Sequence, residues 1–207
     1  GRTKKVLALD LDNTLWGGIL GEEGWNNIQL SEEGVGKIYT DFQRNIKKLS
    51  ETGILLAIVS KNNEADVKEA FEQNENMLLS WDSFVSRKIN WNNKTDNLRE
   101  IAIELNIGID SIVFIDDNVF ERDLVKKMLP EVTVPDFPED ITELNYWFIN
   151  DVVYPHFSKN KITSEDLDKT EQYKRNSERA NVSKLYSYDE FLQQLDIKLD
   201  IKNVDNK

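Results

Sequence analysis

Two short apolar runs, each ending in a pair of carboxylates, constrain this chain more than any other feature. Val6 to Leu11 leads into Asp10-Leu11-Asp12-Asn13-Thr14, and Ser111 to Ile115 leads into Asp116-Asp117-Asn118. Apolar runs of this length without polar alternation read as parallel strands buried on both faces. In an open parallel sheet, ligands bind beyond the carboxyl ends of the strands. One acidic pair at a strand end is explained by a helix cap or a turn. Two pairs at equivalent ends point to a shared site.

The intervening sequence alternates strand and helix. Gly34 to Leu49 carries Val35, Ile38, Phe42, Ile46 and Leu49 at helical spacing and closes on Thr52-Gly53. Ile54 to Val59 reads as a second buried strand. Asn63 with Asp66 three residues on marks a helix start, with the helix running to about Gln73. Phe84-Val85-Ser86 reads as a short strand, Asn93 to Leu105 and Glu121 to Met128 as helices, and Val132-Thr133-Val134 as a last strand. Trp16 to Trp25, rich in glycine and without a period, reads as a loop or small flap. This alternation predicts an α/β fold: a Rossmann-like parallel sheet with right-handed crossovers and helices on both faces. Residues 1–138 form the expected core. From 139 to 207 the pattern becomes a C-terminal helical extension, with a helix over Thr163 to Arg179 and a capping box at Ser187 and Glu190 before Phe191-Leu192.

Composition narrows the function classes. A net charge of −12 argues against a nucleic-acid footprint, which needs a basic face. No cysteine is present, which removes disulfides, thiolate metal sites and thiol nucleophiles. It also fits a reducing compartment, and the expectation is a cytoplasmic protein without a membrane span. The chain opens on Gly1-Arg2-Thr3 without an initiator Met, so a domain of a larger multidomain protein is expected.

Asp10 and Asp117 converging at the sheet edge would make a hard, all-oxygen site of the kind Mg²⁺ prefers, with a phosphate bridging the metal. Ser60, ending the second strand in Val59-Ser60-Lys61-Asn62, can donate to a phosphate oxygen. Lys94, opening a helix, can neutralise one.

The order Asp10-x-Asp12-x-Thr14, Ser60, Lys94, Asp116-Asp117 resembles the four motifs of the haloacid dehalogenase (HAD) superfamily. Leu9 to Gly18 with Gly21-Glu22 and Gly24, Ser60-Lys61-Asn62, Phe114 to Asn118 followed by Glu121-Arg122, and Tyr173…Arg179…Glu190-Phe191-Leu192 are similar to its FkbH-like subfamily, across nearly the whole chain. The resemblance implies a HAD-type enzyme that takes a glyceryl unit from 1,3-bisphosphoglycerate, a small phosphorylated three-carbon substrate. It removes phosphate and loads the unit as a thioester on the phosphopantetheine arm of an acyl carrier protein in polyketide biosynthesis. Carried over by position, Asp10 is the nucleophile and Asp12 the general acid/base. Ser60 and Lys94 hold phosphate. Asp117 is the metal acid, with Asp116 orienting Lys94 or the metal's waters, and the Asp12 backbone carbonyl is a further Mg²⁺ ligand alongside Asp10.

Neither the gap from Trp16 to Gly53 nor that from Lys61 to Asn93 has room for a sizeable cap domain, so an essentially capless core with an open site is expected. The substrate-binding candidates at its mouth are Trp16, Gly17, Gly18, Lys61, Asn62 and Arg122, joined by Trp91. Arg122 suits a second phosphate, because guanidinium binds phosphate in bidentate fashion. His156, the sole histidine, lies outside every motif and reads as structural or surface. Lys47-Lys48 and Lys126-Lys127 are the obvious basic pairs that could meet an acidic carrier, and each also reads as an ordinary solvated face. A plain Mg²⁺-dependent phosphatase of a small phosphoester shares every one of these catalytic residues and is the alternative. A non-catalytic scaffold is disfavoured by the intact acids and Lys94.

Overall fold

The computed structural model describes residues 4–157. The helices expected over Thr163 to Arg179 and after Ser187 lie outside the described residues.

Four strands form one parallel sheet: β1 (Val6–Leu9), β2 (Leu55–Ser60), β3 (Ser86–Ile89) and β4 (Ile112–Ile115), in the order β3-β2-β1-β4. β1 lies centrally, with Val6 opposite both Leu55 and Ile112. All four of its residues are buried, as an unbroken apolar run requires. Successive side chains face opposite sides of the sheet. Leu7, Leu9, Leu56, Ile58, Val113 and Ile115 belong to one core cluster. Val6, Ala8, Ala57, Val59, Ile112 and Phe114 belong to the other.

The first cluster is closed by α2 (Gly34–Glu51), by α3 (Glu64–Gln73) through Val67, Ala70 and Phe71, and by a helical stretch near the end of the described chain. The second is closed by α4 (Lys94–Glu104) through Leu98 and Ile101, and by α5 (Val119–Met128) through Val125. Helices therefore cover both faces, as expected. α1 is a four-residue turn of helix, Leu20–Glu23, inside the expected flap. Between β1 and β2, and between β2 and β4, no cap domain is inserted.

Two expected elements change. β3 begins at Ser86, because Phe84 turns into the core under Phe71 and only Ser86–Ile89 pairs with β2. The expected strand at Val132-Thr133-Val134 is a single parallel bridge, Val113 to Thr133, since Pro135 lacks the N–H that would extend the ladder.

From Ile141 the chain runs helically to Phe157: a 3₁₀ turn (Ile141–Glu143), α6 (Leu144–Trp147), a π-helical segment (Phe148–Val153) and α7 (Tyr154–Phe157). Leu144, Phe148, Val152 and Phe157 enter the same core as α2. Phe148 meets Phe42 edge to face at 5.0 Å, and Asn145 Nδ2 donates to Ile38 O at 3.0 Å. Buried Gln43 ties distant loops together: Nε2 donates to Leu15 O, and Oε1 accepts from the amides of Leu78 and Leu79. No helix of the described residues is long and apolar enough to cross a membrane.

Because Phe148 is fully buried against α2, Phe148→Ala should lower unfolding free energy by about 3–5 kcal/mol, the usual cost of emptying a buried aromatic site. Chemical denaturation would show a single transition at lower denaturant. A change below about 1 kcal/mol would mean that residues 141–157 are not part of this core.

Candidate active site

β1 and β4 deliver their acids to adjacent positions. The Asp10 amide donates to Ile115 O at 3.0 Å, so Asp10 is locked where β1 passes the end of β4. Asp10 and Asp116 are buried and Asp117 half-buried. Their carboxylates each offer an oxygen within 4.8 Å of the others. Thr14 stitches the two strand ends: its hydroxyl lies 3.1 Å from Asp117 Oδ1 and 3.4 Å from Asp10 Oδ2, and accepts from the Asp117 amide at 3.2 Å.

Lys94, the first residue of α4, reaches into this cluster from the other side of the sheet edge. Its Nζ donates to Asp10 Oδ1 at 3.0 Å and to Asp116 Oδ2 at 2.6 Å. It is 5% exposed, so the three charges form a buried triad. Asp116 is thus in direct contact with Lys94.

Burial pushes the Asp10 carboxyl up to about 7, with Lys94 opposing and Asp117 adding to the rise. Burial pushes Asp116 to about 7 as well, Asp10 reinforcing and Lys94 opposing. Asp117 is raised, again chiefly by burial. For Lys94 burial favours the neutral amine, yet Asp10 and Asp116 together outweigh it and hold the ammonium. Three acids therefore share one internal cation. The uncompensated negative charge on an oxygen-only donor set suits a hard divalent cation, and Asp10, Asp116 and Asp117 are the side chains that could hold it.

Asp12 is arranged differently. Oδ1 accepts from Trp16 Nε1 at 3.1 Å and from the Leu20 amide at 2.9 Å, while Oδ2 accepts from Asn62 Nδ2 at 3.1 Å. Its carboxylate stands outside the three-acid cluster. Asn62 also donates to Ser60 Oγ at 3.1 Å, so the expected Ser60-Lys61-Asn62 loop and Asp12 form one polar unit.

The mouth differs from expectation at several positions. Trp16 is fully buried, edge-on to Phe71 at 5.9 Å, and reaches the site only through its N–H. Gly17 exchanges backbone hydrogen bonds with Gln29, and a Cβ there would fall 2.3 Å from Gln29 Oε1 and 2.8 Å from Tyr39. Gly18 has φ +92°, and its amide donates to Asn13 Oδ1 at 2.8 Å. These three shape the turn that presents Asp12 and do not line a substrate surface. Arg122 is also buried. Its Nη1 donates to the carbonyls of Asp116 and Asp117 at 3.1 and 2.9 Å, which fixes the end of β4, while its Nε is buried without a hydrogen-bond partner. Trp91, 68% exposed, does stand at the surface, its Nε1 on Asn63 Oδ1. Lys61 pairs with Glu121, a residue that carried the subfamily resemblance but was given no role at the site. His156 is half-buried, and burial pushes its pKa below the usual histidine value.

No family model and no curated protein matches this chain. Among solved structures, the N-terminal part of the Bacteroides fragilis protein BF1531, containing a phosphatase domain complexed with Mg, is 50% identical over 72% of this chain, with a TM-score of 0.70. The chain covers 40% of that structure's length. The HAD domain of the Legionella pneumophila effector protein Lem4 is 14% identical, with 77% of this chain and 97% of that one covered and a TM-score of 0.53, a likeness of fold alone.

Carboxyls raised from 3.8 to about 7 favour the folded state at low pH and lose that contribution as pH climbs through 7. In metal-free protein the melting temperature should therefore fall between about pH 5 and pH 8. Asp116→Asn should flatten the slope, and a divalent cation should raise the melting temperature more at pH 8 than at pH 5. Scanning calorimetry across that range tests this. A cation effect independent of pH would refute it.

Proposed function

We propose that this chain, whose fold is that of the HAD phosphatases, is a Mg²⁺-dependent phosphoryl-transfer enzyme of the FkbH-like kind. In this reading it removes phosphate from a three-carbon acyl donor, 1,3-bisphosphoglycerate, and places the glyceryl unit on the thiol of a carrier protein's phosphopantetheine arm. The observation that carries the phosphoryl-transfer part is the buried Asp10–Lys94–Asp116 triad with Asp117 beside it. The likeness to a phosphatase domain complexed with Mg supports it.

Asp10 and Asp117 with the backbone carbonyl of Asp12 would hold Mg²⁺, which supplies positive charge against the phosphate oxygens. Lys94 supplies the second cation on the site's inner side, and Ser60 a hydroxyl donor. Asp10 then attacks the phosphorus of the C3 phosphoester and expels the C3 oxygen, forming an aspartyl-phosphate and leaving the C1 acyl group to the thiol; a carboxylate manages this only when the incoming phosphate is neutralised. Asp12 gives a proton to the leaving oxygen and takes one from the attacking water. Trp16, the Leu20 amide and Asn62 set where that carboxylate stands.

Loading onto a carrier is supported by the open edge and by its apolar rim. Ile19 (41% exposed), Val119 (47%), Phe120 (81%) and Trp91 (68%) are exposed on loops and helix starts that follow the strand ends. A plain hydrolase of a small charged ester gains nothing from such a rim, whereas a pantetheine arm does. With no thiol in the chain, the carrier thiol, or one supplied by another domain, attacks the C1 acyl carbon and expels the C1 phosphate as the thioester forms.

Intact-mass spectrometry of a holo carrier protein, incubated with this chain, Mg²⁺ and freshly generated 1,3-bisphosphoglycerate, should show a glyceryl thioester that Asp10→Asn abolishes. Phosphate release without any mass gain would reduce the function to the plain phosphatase. Removing Mg²⁺ with a chelator should abolish phosphate release and readdition should restore it. Trp16→Phe, which keeps the ring and deletes one bond to Asp12, should lower kcat about tenfold with little change in KM, the scale of one hydrogen bond.

A further inference from the structure

Lys61 and Glu121 sit on opposite sides of the nucleophile. Lys61 directly follows β2 and Glu121 lies in the first turn of α5 just past β4, and β1 separates those strands. With strands spaced about 4.8 Å apart, the two chain segments leave the sheet roughly 10 Å from one another. The bond from Lys61 Nζ to Glu121 Oε1, 3.0 Å, therefore spans the carboxyl end of β1, where Asp10 emerges.

The two halves of the pair are not equivalent. Glu121 is anchored: Asn118 Oδ1 accepts from its amide, and its side chain is 17% exposed. Its Oε2 is buried with no hydrogen-bond partner. A carboxylate half satisfied by one cation is a costly arrangement to keep for stability alone. Lys61 is the movable half, a 37%-exposed ammonium on a flexible four-carbon stem, following Ser60 and preceding Asn62, which touches Asp12. Of the other cations the described residues bring to this edge, Lys94 is held by Asp10 and Asp116, and Arg122 is buried with Nη1 on two backbone carbonyls and Nε without a partner. Lys61 is the exposed one of the three.

We propose that Lys61 is the specificity residue for a second anionic group on the substrate, a carboxylate or a second phosphate, and that Glu121 is the placeholder which that group displaces. The inference rests on the phosphoryl-transfer reading and adds to it that a substrate charged at both ends is selected. The pair also closes over β1 in the free protein, so a capless site keeps a strap of two side chains, opened by the substrate's own charge. Lys61 takes over the role that the sequence suggested for Arg122.

The test compares 3-phosphoglycerate with glycerol 3-phosphate, which differ by a carboxylate against a hydroxymethyl group. Dissociation constants are measured calorimetrically with Mg²⁺ on the full chain carrying Asp10→Asn, so that turnover does not intervene. In this background 3-phosphoglycerate should bind about tenfold or more tightly than glycerol 3-phosphate, the scale of one charge-assisted bond. Adding Lys61→Met should erase that preference, Lys61→Arg should retain most of it, and Glu121→Gln should tighten 3-phosphoglycerate several-fold while leaving glycerol 3-phosphate little changed. No preference in the Asp10→Asn background, or a Lys61→Met variant that weakens both ligands equally, would overturn the proposal. Phosphate release by the otherwise native chain is read separately. Its absence alongside an intact binding preference would defeat the phosphoryl-transfer reading and spare the role of Lys61.

Discussion

The structure depends on one buried ammonium. Lys94 Nζ lies 3.0 Å from Asp10 and 2.6 Å from Asp116, inside an edge from which water is largely excluded. Carboxylates this deep are tolerable only against opposite charge, and one ammonium does not balance three acids. Burial accordingly lifts Asp10 and Asp116 to about 7, while the same two acids hold Lys94 charged. The imbalance is a reservoir of attraction for added positive charge and explains why the site suits a divalent cation together with an anionic substrate.

Around that triad the chain uses the sheet as a ruler. β1 and β4 pair in register, so Asp10 and Asp116 follow Leu9 and Ile115, which lie opposite one another. Thr14 and Arg122 then fix the loops that follow: Thr14 by its contacts with Asp117, Arg122 by holding two carbonyls at the end of β4. Neither side chain needs to touch substrate to matter. They keep flexible strand-end loops from relaxing away from mutually repelling carboxylates, which is how a site made of like charges stays assembled.

Among the described residues no cap is inserted between the strands, so the surface the site presents is its rim. Trp91, Phe120 and Ile19 give it apolar surface, and the Lys61–Glu121 pair gives it a charged crossing over β1. An apolar approach and a charged crossing address different parts of a substrate, its carrier-borne or apolar portion and its distal anion. That division is coherent with a three-carbon unit charged at both ends passing to a long thiol arm.

The sequence by itself determined the parallel α/β fold and the strand edge where Asp10, Asp116 and Asp117 gather. Both follow from a local rule: an unbroken apolar run must be buried on both faces, and the acids that end it must lie at the carboxyl edge. Ser60 and Lys94 were singled out by their place in the motif series. The helices over Gly34–Glu51 and Lys94–Glu104 were legible from 3.6-residue spacing within one or two residues. What the tertiary structure decided was the direction of each polar group. A local pattern does not say whether Trp16 faces solvent or Phe71, whether Arg122 meets a phosphate or two backbone carbonyls, or that Lys61 pairs with a glutamate 60 residues away. The Val132–Val134 run had strand-like residues but only Thr133 found a partner, because pairing is a property of two segments. Residue type fixes which chemistry is available. Long-range packing fixes which atoms are left free to perform it.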